Sequence, residues 1–206
     1  MLVKLVLSHY FSGIFIMQLF GSITSPYVRR IRLFLADRDY QFINIDIFSE
    51  QGRQAFELHN PANKVPFLID GEQTIIDSRV IYRYLTQKYQ QPEPSWAQEN
   101  LLSLIDAAND SFVSLLLLTR SGIDTAQDSL FFNLQHQRID KVLTKLELAV
   151  NRGDFEQWDY PTICLYCLLD WVNFRQLFDM TIYPALAHFH KQYQSLGIVK
   201  ETTPSS

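Results

Sequence analysis

The spacing of apolar positions changes several times along the chain, and each change marks an element. "MQLFG", Met17–Gly21, is short, apolar and stopped by glycine, so it reads as a strand. From Pro26 the period lengthens. Val28, Ile31, Leu33, Phe34 and Leu35 form a helical stripe to about Ala36. Proline suits the first turn, where its missing N–H costs no hydrogen bond. "YQFINIDIF" alternates and predicts a second strand, and "EQGRQAFELHN" predicts a short helix or irregular turn. "KVPFLIDGEQTIIDS" reads as a hairpin: strand Pro66–Ile69, turn Asp70-Gly71, strand Thr74–Ile76. Ser78 is expected to cap the helix "RVIYRYLTQKY".

Past the polar, two-proline stretch "QQPEPSW", the pattern is helical. Helices are predicted over Trp96–Arg120, Ala126–Val150, Pro161–Phe174 and Tyr183–Tyr193, with a loose polar tail, "KETTPSS". Pro161–Phe174 is nearly all apolar, so it is expected to be a buried central helix. The order β-α-β-α-β-β-α followed by helices predicts an α/β domain at 17–89, a linker at 90–96 and an all-α domain at 97–206. Residues 1–16, "MLVKLVLSHYFSGIFI", read as an extension outside the core, with Met17 the preferred natural start. They lack a small-x-small cleavage site and fall short of the ~20 residues of a membrane span. An extra strand or a membrane-peripheral anchor is the alternative.

Composition narrows the function. The chain has 206 residues, 18 basic and 22 acidic, with net charge −4, so no basic surplus exists to displace counterions from nucleic acid. Its 47% hydrophobic and 14% aromatic content argues against disorder. Two cysteines, Cys164 and Cys167, are no disulfide framework and suggest a reducing, cytoplasmic setting. "CLYC" lies inside an apolar helical run, where a redox pair would instead open a helix. Two thiols without a histidine pair are poor zinc chemistry, so both read as core. No metal motif appears, and the histidines show no pattern of partners.

The chemistry-bearing stretch is "GSITSPYVRR". Ser22, Thr24 and Ser25 crowd ahead of Pro26. Proline disfavours helical geometry in the residue before it, which makes Ser25 the expected N-cap at an end that attracts anions.

Three ordered segments, "TSPYVRRIRLFLADRDYQF", "NPANKVPFLIDG" and "IIDSRVIYRYL", resemble the glutathione-binding domain of the glutathione transferase superfamily. "DAANDSFVSL", "YCLLDWVNFR" and "YPALAHFHKQYQ" resemble helices of its bacterial members, and the likeness runs from Met17 to about Pro204. The resemblance implies a thioredoxin-like α/β domain joined to an all-α domain, with glutathione as co-substrate, a small electrophile, a homodimer and no membrane partner. It implies a cis Val65–Pro66 bond with the Val65 backbone on the cysteinyl part of glutathione. It also implies Lys64 on the glycine carboxylate, and Asp77 and Ser78 on the γ-glutamyl end. Arg79 is expected to face solvent. Phe112, Leu116 and Arg120 would line the electrophile pocket, and Asp106 or Asp110 could reach a neighbouring subunit's glutathione. The superfamily's buried helix opens with a Ser or Thr cap and an Asp three residues on. Asp159 and Thr162 reverse that pair here, with reciprocal capping still available.

In serine and cysteine members the residue before the proline is catalytic, and here that is Ser25. Thr24 and Ser22 remain open. A free thiol has a pKa of about 8.5, and lowering it by one to two units needs about 1.4–2.7 kcal/mol. A helix end supplies about 0.3–1 kcal/mol and a hydroxyl bonded to thiolate about 1.5–3 kcal/mol, which together suffice. Serine cannot form a mixed disulfide, so exchange through an enzyme thiol at this position is disfavoured. Two other functions stay open: a non-catalytic binding or regulatory module, and glutathione-dependent peroxide reduction.

Overall fold

The computed structural model describes residues 16–46 and 49–204. The extension read at 1–16 therefore lies, but for Ile16, outside the described residues.

Strands β1 (Gln18–Gly21), β2 (Gln41–Asn44), β3 (Phe67–Asp70) and β4 (Gln73–Ile76) form one mixed sheet in the order β2-β1-β3-β4. β1 pairs parallel with β2 and antiparallel with β3, and β3 pairs antiparallel with β4. Alternation sorts the side chains to two faces. Leu19, Leu68 and Ile75 join the main core, while Phe20 and Phe67 join a smaller cluster with Ile45 and Phe56. Phe20 and Phe67 sit opposite in register, and their rings stack at 4.6 Å. Asp70 pairs with Gln73, so the hairpin turn is Gly71-Glu72, one residue later than the sequence pattern suggests. Gly71 takes the left-handed conformation, φ +60°, that the turn needs.

Helices α1 (Pro26–Phe34), α2 (Glu50–His59) and α3 (Ser78–Lys88) accompany the sheet. α4 (Trp96–Arg120), α5 (Leu130–Asn151), α6 (Tyr160–Phe174), α7 (Pro184–Tyr193) and α8 (Gly197–Glu201) make the second half helical, with a 3-10 turn at Met180–Ile182. α4 opens with a reciprocal cap between Ser95 and Gln98. It is long and apolar enough to cross a membrane by length and composition, but here it packs on α5 and α6. α5 starts four residues later than expected. Asp124 turns the preceding segment by accepting from the Ala126 N–H, and Asn133 reaches back to Asp128. α6 is buried along nearly its whole length, as its composition suggests. Asp159 caps it by accepting from the Thr162 N–H at 3.1 Å. The Thr162 hydroxyl is buried without a partner among the described residues, so that cap is one-directional. Cys164 and Cys167 are wholly buried free thiols, each pushed up to about 12 by burial.

Up to Pro204 the tail is not loose as expected. α8 takes in Lys200 and Glu201, and Thr202 is only 3% exposed. Arg29, itself buried, explains this. Its Nε donates to Thr202 Oγ1 at 3.2 Å and its Nη2 to the Val199 carbonyl at 2.9 Å. Its third partner is Asp170 of α6, which also accepts from Tyr166 and bonds His190 of α7 at 2.7 Å. One arginine of α1 is thus held by α6 and α8, with α7 joined through Asp170.

β1 also meets α1 closely. A Cβ on Gly21 would lie 2.3 Å from Cγ2 of Val28, a buried β-branched side chain with little freedom to turn away. Gly21→Ala is expected to lose about 1–3 kcal/mol in urea denaturation through this overpacking. A loss below about 0.5 kcal/mol would mean that the contact relaxes freely.

Candidate functional site

The loop from β1 into α1 is built by its own polar groups. The Ser25 N–H donates to the Ser22 carbonyl at 3.0 Å, and the Ile23 N–H donates to Oδ1 of Asn44 at 3.1 Å. Asn44, the last residue of β2, is a loop-holding residue that the sequence reading missed. Ser22 and Thr24 share a hydroxyl–hydroxyl bond of 3.1 Å. Ser25 takes an extended backbone as N-cap of α1, and its Oγ accepts from the Val28 N–H at 3.4 Å. A hydroxyl that accepts in a cap keeps its own proton to donate. Of the three hydroxyls, Ser25 therefore combines the helix end with a free O–H.

Val65–Pro66 is cis. The Val65 backbone makes no hydrogen bond among the described residues. The turn before it is fixed by Asn60, which is fully buried. Asn60 Nδ2 donates to the Lys64 carbonyl at 2.6 Å, and its Oδ1 accepts from the Ala62 N–H. The Lys64 side chain is exposed and makes no ion pair among the described residues.

The cap of α3 differs from the sequence reading. Asp77, not Ser78, is the N-cap. Its Oδ1 accepts from the N–H groups of Arg79, at 2.8 Å, and Val80. Ser78 is the first helical residue and is buried. The left-handed backbone of Asp77, φ +80°, swings its carboxylate over the first turn, so the serine one residue later is not needed there.

Other expectations shift as well. Arg79 does not simply face solvent: it pairs with Glu99 and, at 3.2 Å, with Asp106. Asp106 also holds the buried Arg30 at 2.5 Å, and Asp110 accepts from the Tyr27 hydroxyl. Both aspartates have partners within the chain. Burial and then the Asp110 bond push the Tyr27 phenol well above its ordinary range, so it stays a neutral donor. Phe112 is 4% exposed and meets Phe178 edge-on, leaving it little surface for a ligand. Leu116 is half-buried and Arg120 exposed. Among the described residues no cluster of three His, Cys, Asp or Glu could hold a metal.

In sequence and overall fold the chain is similar to proteins of known kind. The glutathione S-transferase, N-terminal domain, family matches residues 19–93. A solved glutathione S-transferase of Methylobacillus flagellatus with glutathione bound superposes with TM-score 0.79 and 25% identity, covering 92% of this chain and 100% of that one. Residues 19–93 form a glutathione S-transferase N-terminal domain, and the chain as a whole is similar to the glutathione transferase superfamily. A second superfamily structure, from Pseudomonas fluorescens with bound glutathione, gives TM-score 0.77 at 25% identity, over 92% of this chain and all of that one. Glutathione S-transferase Z2 of Arabidopsis thaliana is 27% identical over 194 residues, 85% of this chain and 84% of that protein. The fold, a small mixed-sheet N-terminal domain with a mostly helical C-terminal region, matches the superfamily's structures.

Proposed function

We propose that the chain is a glutathione transferase that joins glutathione to a small electrophile, with Ser25 stabilising the thiolate. The observation that supports this most is the pairing of a free-proton cap, Ser25, with the N-terminal end of α1 in a fold similar to glutathione-bound structures. The helix end and the hydroxyl together supply the stabilisation a thiol needs at neutral pH. Val65 offers an unused N–H and C=O to the cysteinyl part, beside Pro66. Exposed Lys64 offers charge to the glycine carboxylate. The γ-glutamyl end goes to the start of α3. There Asp77 faces the amino group, while the Ser78 hydroxyl and the Ser78 N–H face the carboxylate, the N–H groups of Arg79, Val80 and Ile81 being taken by Asp77. Two free core thiols suit a reducing compartment, so the cytoplasm goes with this reading. We also assign it a homodimer, because Trp96, 86% exposed, and Val80 present apolar surface on neighbouring helices.

Glutathione at a hundred times its dissociation constant stabilises a binder by about 2.7 kcal/mol. At this chain length that is expected to raise Tm by about 5–10 °C in a thermal scan. No shift at millimolar glutathione would overturn the reading. A shift without conjugation of any aryl halide would favour peroxide reduction or a binding role instead.

A further inference from the structure

β2 ends beside the point where the chain leaves β1 for α1. Gly21 and Asn44 are the last pair of the parallel β1–β2 ladder, two residues beyond Leu19 and Phe42. Side chains alternate along a strand, so Asn44 shares a face with Phe42, which packs on the main core. α1 crosses that same face, because a side chain on Gly21 would run into Val28. Asn44 therefore stands next to the loop as it climbs from β1 to Ser25.

The other bonds of that loop are internal or go to α1. The Thr24 N–H donates to Ser22 Oγ at 3.4 Å, the Ser22 and Thr24 hydroxyls are bonded, and the Ser25 N–H closes the turn on the Ser22 carbonyl. Ser25 itself accepts from the Val28 and Arg29 N–H groups of α1. The 3.1 Å bond from the Ile23 N–H to Asn44 Oδ1 is, among the described residues, the one hydrogen bond that ties the tip of the loop to the sheet. The Ile23 side chain adds no second anchor, since it belongs to neither core cluster. Asn44 is exposed, and its Nδ2 makes no hydrogen bond among the described residues, so holding Ile23 is its one polar task.

We propose that Asn44 is a positioning residue for the thiolate: by fixing Ile23 it holds the turn at 22–25 and keeps the Ser25 hydroxyl aimed at glutathione's sulfur. This rests on the glutathione transferase reading above. Asn44 touches no reacting atom and acts only through Ser25. A charge-assisted hydrogen bond is short and weakens steeply as its angle bends, so a turn free to shift forfeits part of it. The role calls for an acceptor at this position, not for an amide as such.

A double-mutant cycle with Ser25 tests this. In the parent, Asn44→Ala is expected to lower kcat/KM for conjugation about three- to tenfold and to raise the pKa of the bound thiol by about half a unit to one unit. In the Ser25→Ala background the same substitution is expected to change kcat/KM less than about twofold, because the hydroxyl it positions is already gone. Asn44→Asp keeps the acceptor but adds a charge. At about 1 M salt, where charges are screened within about 3 Å, it should match the parent. Equal losses in both backgrounds would show that Asn44 supports the fold and not Ser25, and would overturn the inference. So would an unchanged rate in Asn44→Ala, or an Asn44→Asp variant as slow as Asn44→Ala at high salt. Each of these results leaves the glutathione reading standing. A parent that does not bind glutathione, or whose bound thiol is no more acidic than the free one, overturns that reading and this inference with it.

Discussion

Asp170→Ala is expected to lose about 3–5 kcal/mol of stability, the range for stranding one half of a buried ion pair. Asp170 bonds Arg29, Tyr166 and His190, joining α1, α6 and α7, and Arg29 extends the link to Val199 and Thr202. Removing the carboxylate leaves the Arg29 charge in a buried position without its counter-ion. Burial works against ionising Asp170, yet the His190 bond and the Arg29 charge outweigh it and hold the carboxyl below its usual range. The sign follows. The unfolded carboxyl titrates near 3.9, so this contribution is fully present above about pH 4 and fades as pH falls further. Urea denaturation of the parent between pH 3 and 7 should therefore steepen on the acid side. Asp170→Asn should flatten that limb while keeping the shape of the side chain. Equal pH slopes for the parent and the Asn variant would show that Asp170 has no special role.

Much of the element order is legible because local signals agree with the fold. Gly21 ends β1, Pro26 opens α1, and the nearly all-apolar run becomes α6, the central helix. The same locality explains what was not legible. "VRRIR" reads as a helix with a wet side, yet Arg29 and Arg30 are both buried, because their carboxylates lie 141 and 76 residues further on. No local pattern announces partners that distant. The cap of α3 was misread by one residue, since choosing Asp77 over Ser78 depends on a left-handed backbone that no residue pattern specifies. The tail looks like solvent-facing polar chain until Arg29 supplies partners for Thr202 and Val199. At the candidate site the hydroxyls could be named but not ranked. Ranking them needed the bond between Ser22 and Thr24 and the cap at Ser25.

That ranking yields the sharpest functional expectation. Ser25→Ala should lower kcat/KM for conjugation by about 10- to 150-fold, the rate equivalent of the 1.5–3 kcal/mol of a hydrogen bond to a charged group. The affinity for glutathione should change little, because the neutral thiol accepts only a weak bond while the thiolate accepts a strong one. The pKa of the bound thiol should rise by about one to two units, so the acid limb of the rate profile moves toward higher pH and the loss is greatest near pH 6. The variant also loses a cap, about 1 kcal/mol, which a thermal scan reads separately and which alone would leave the thiol pKa in place. Thr24→Ala is the control. Its hydroxyl bonds Ser22 and does not cap α1, so removing it should change kcat/KM no more than a few-fold. A rate lost with Thr24→Ala and kept with Ser25→Ala would transfer the thiolate contact to Thr24. The α1 helix end would then act alone at Ser25, and its dipole, about 0.3–1 kcal/mol, is too small by itself to ionise a thiol at neutral pH.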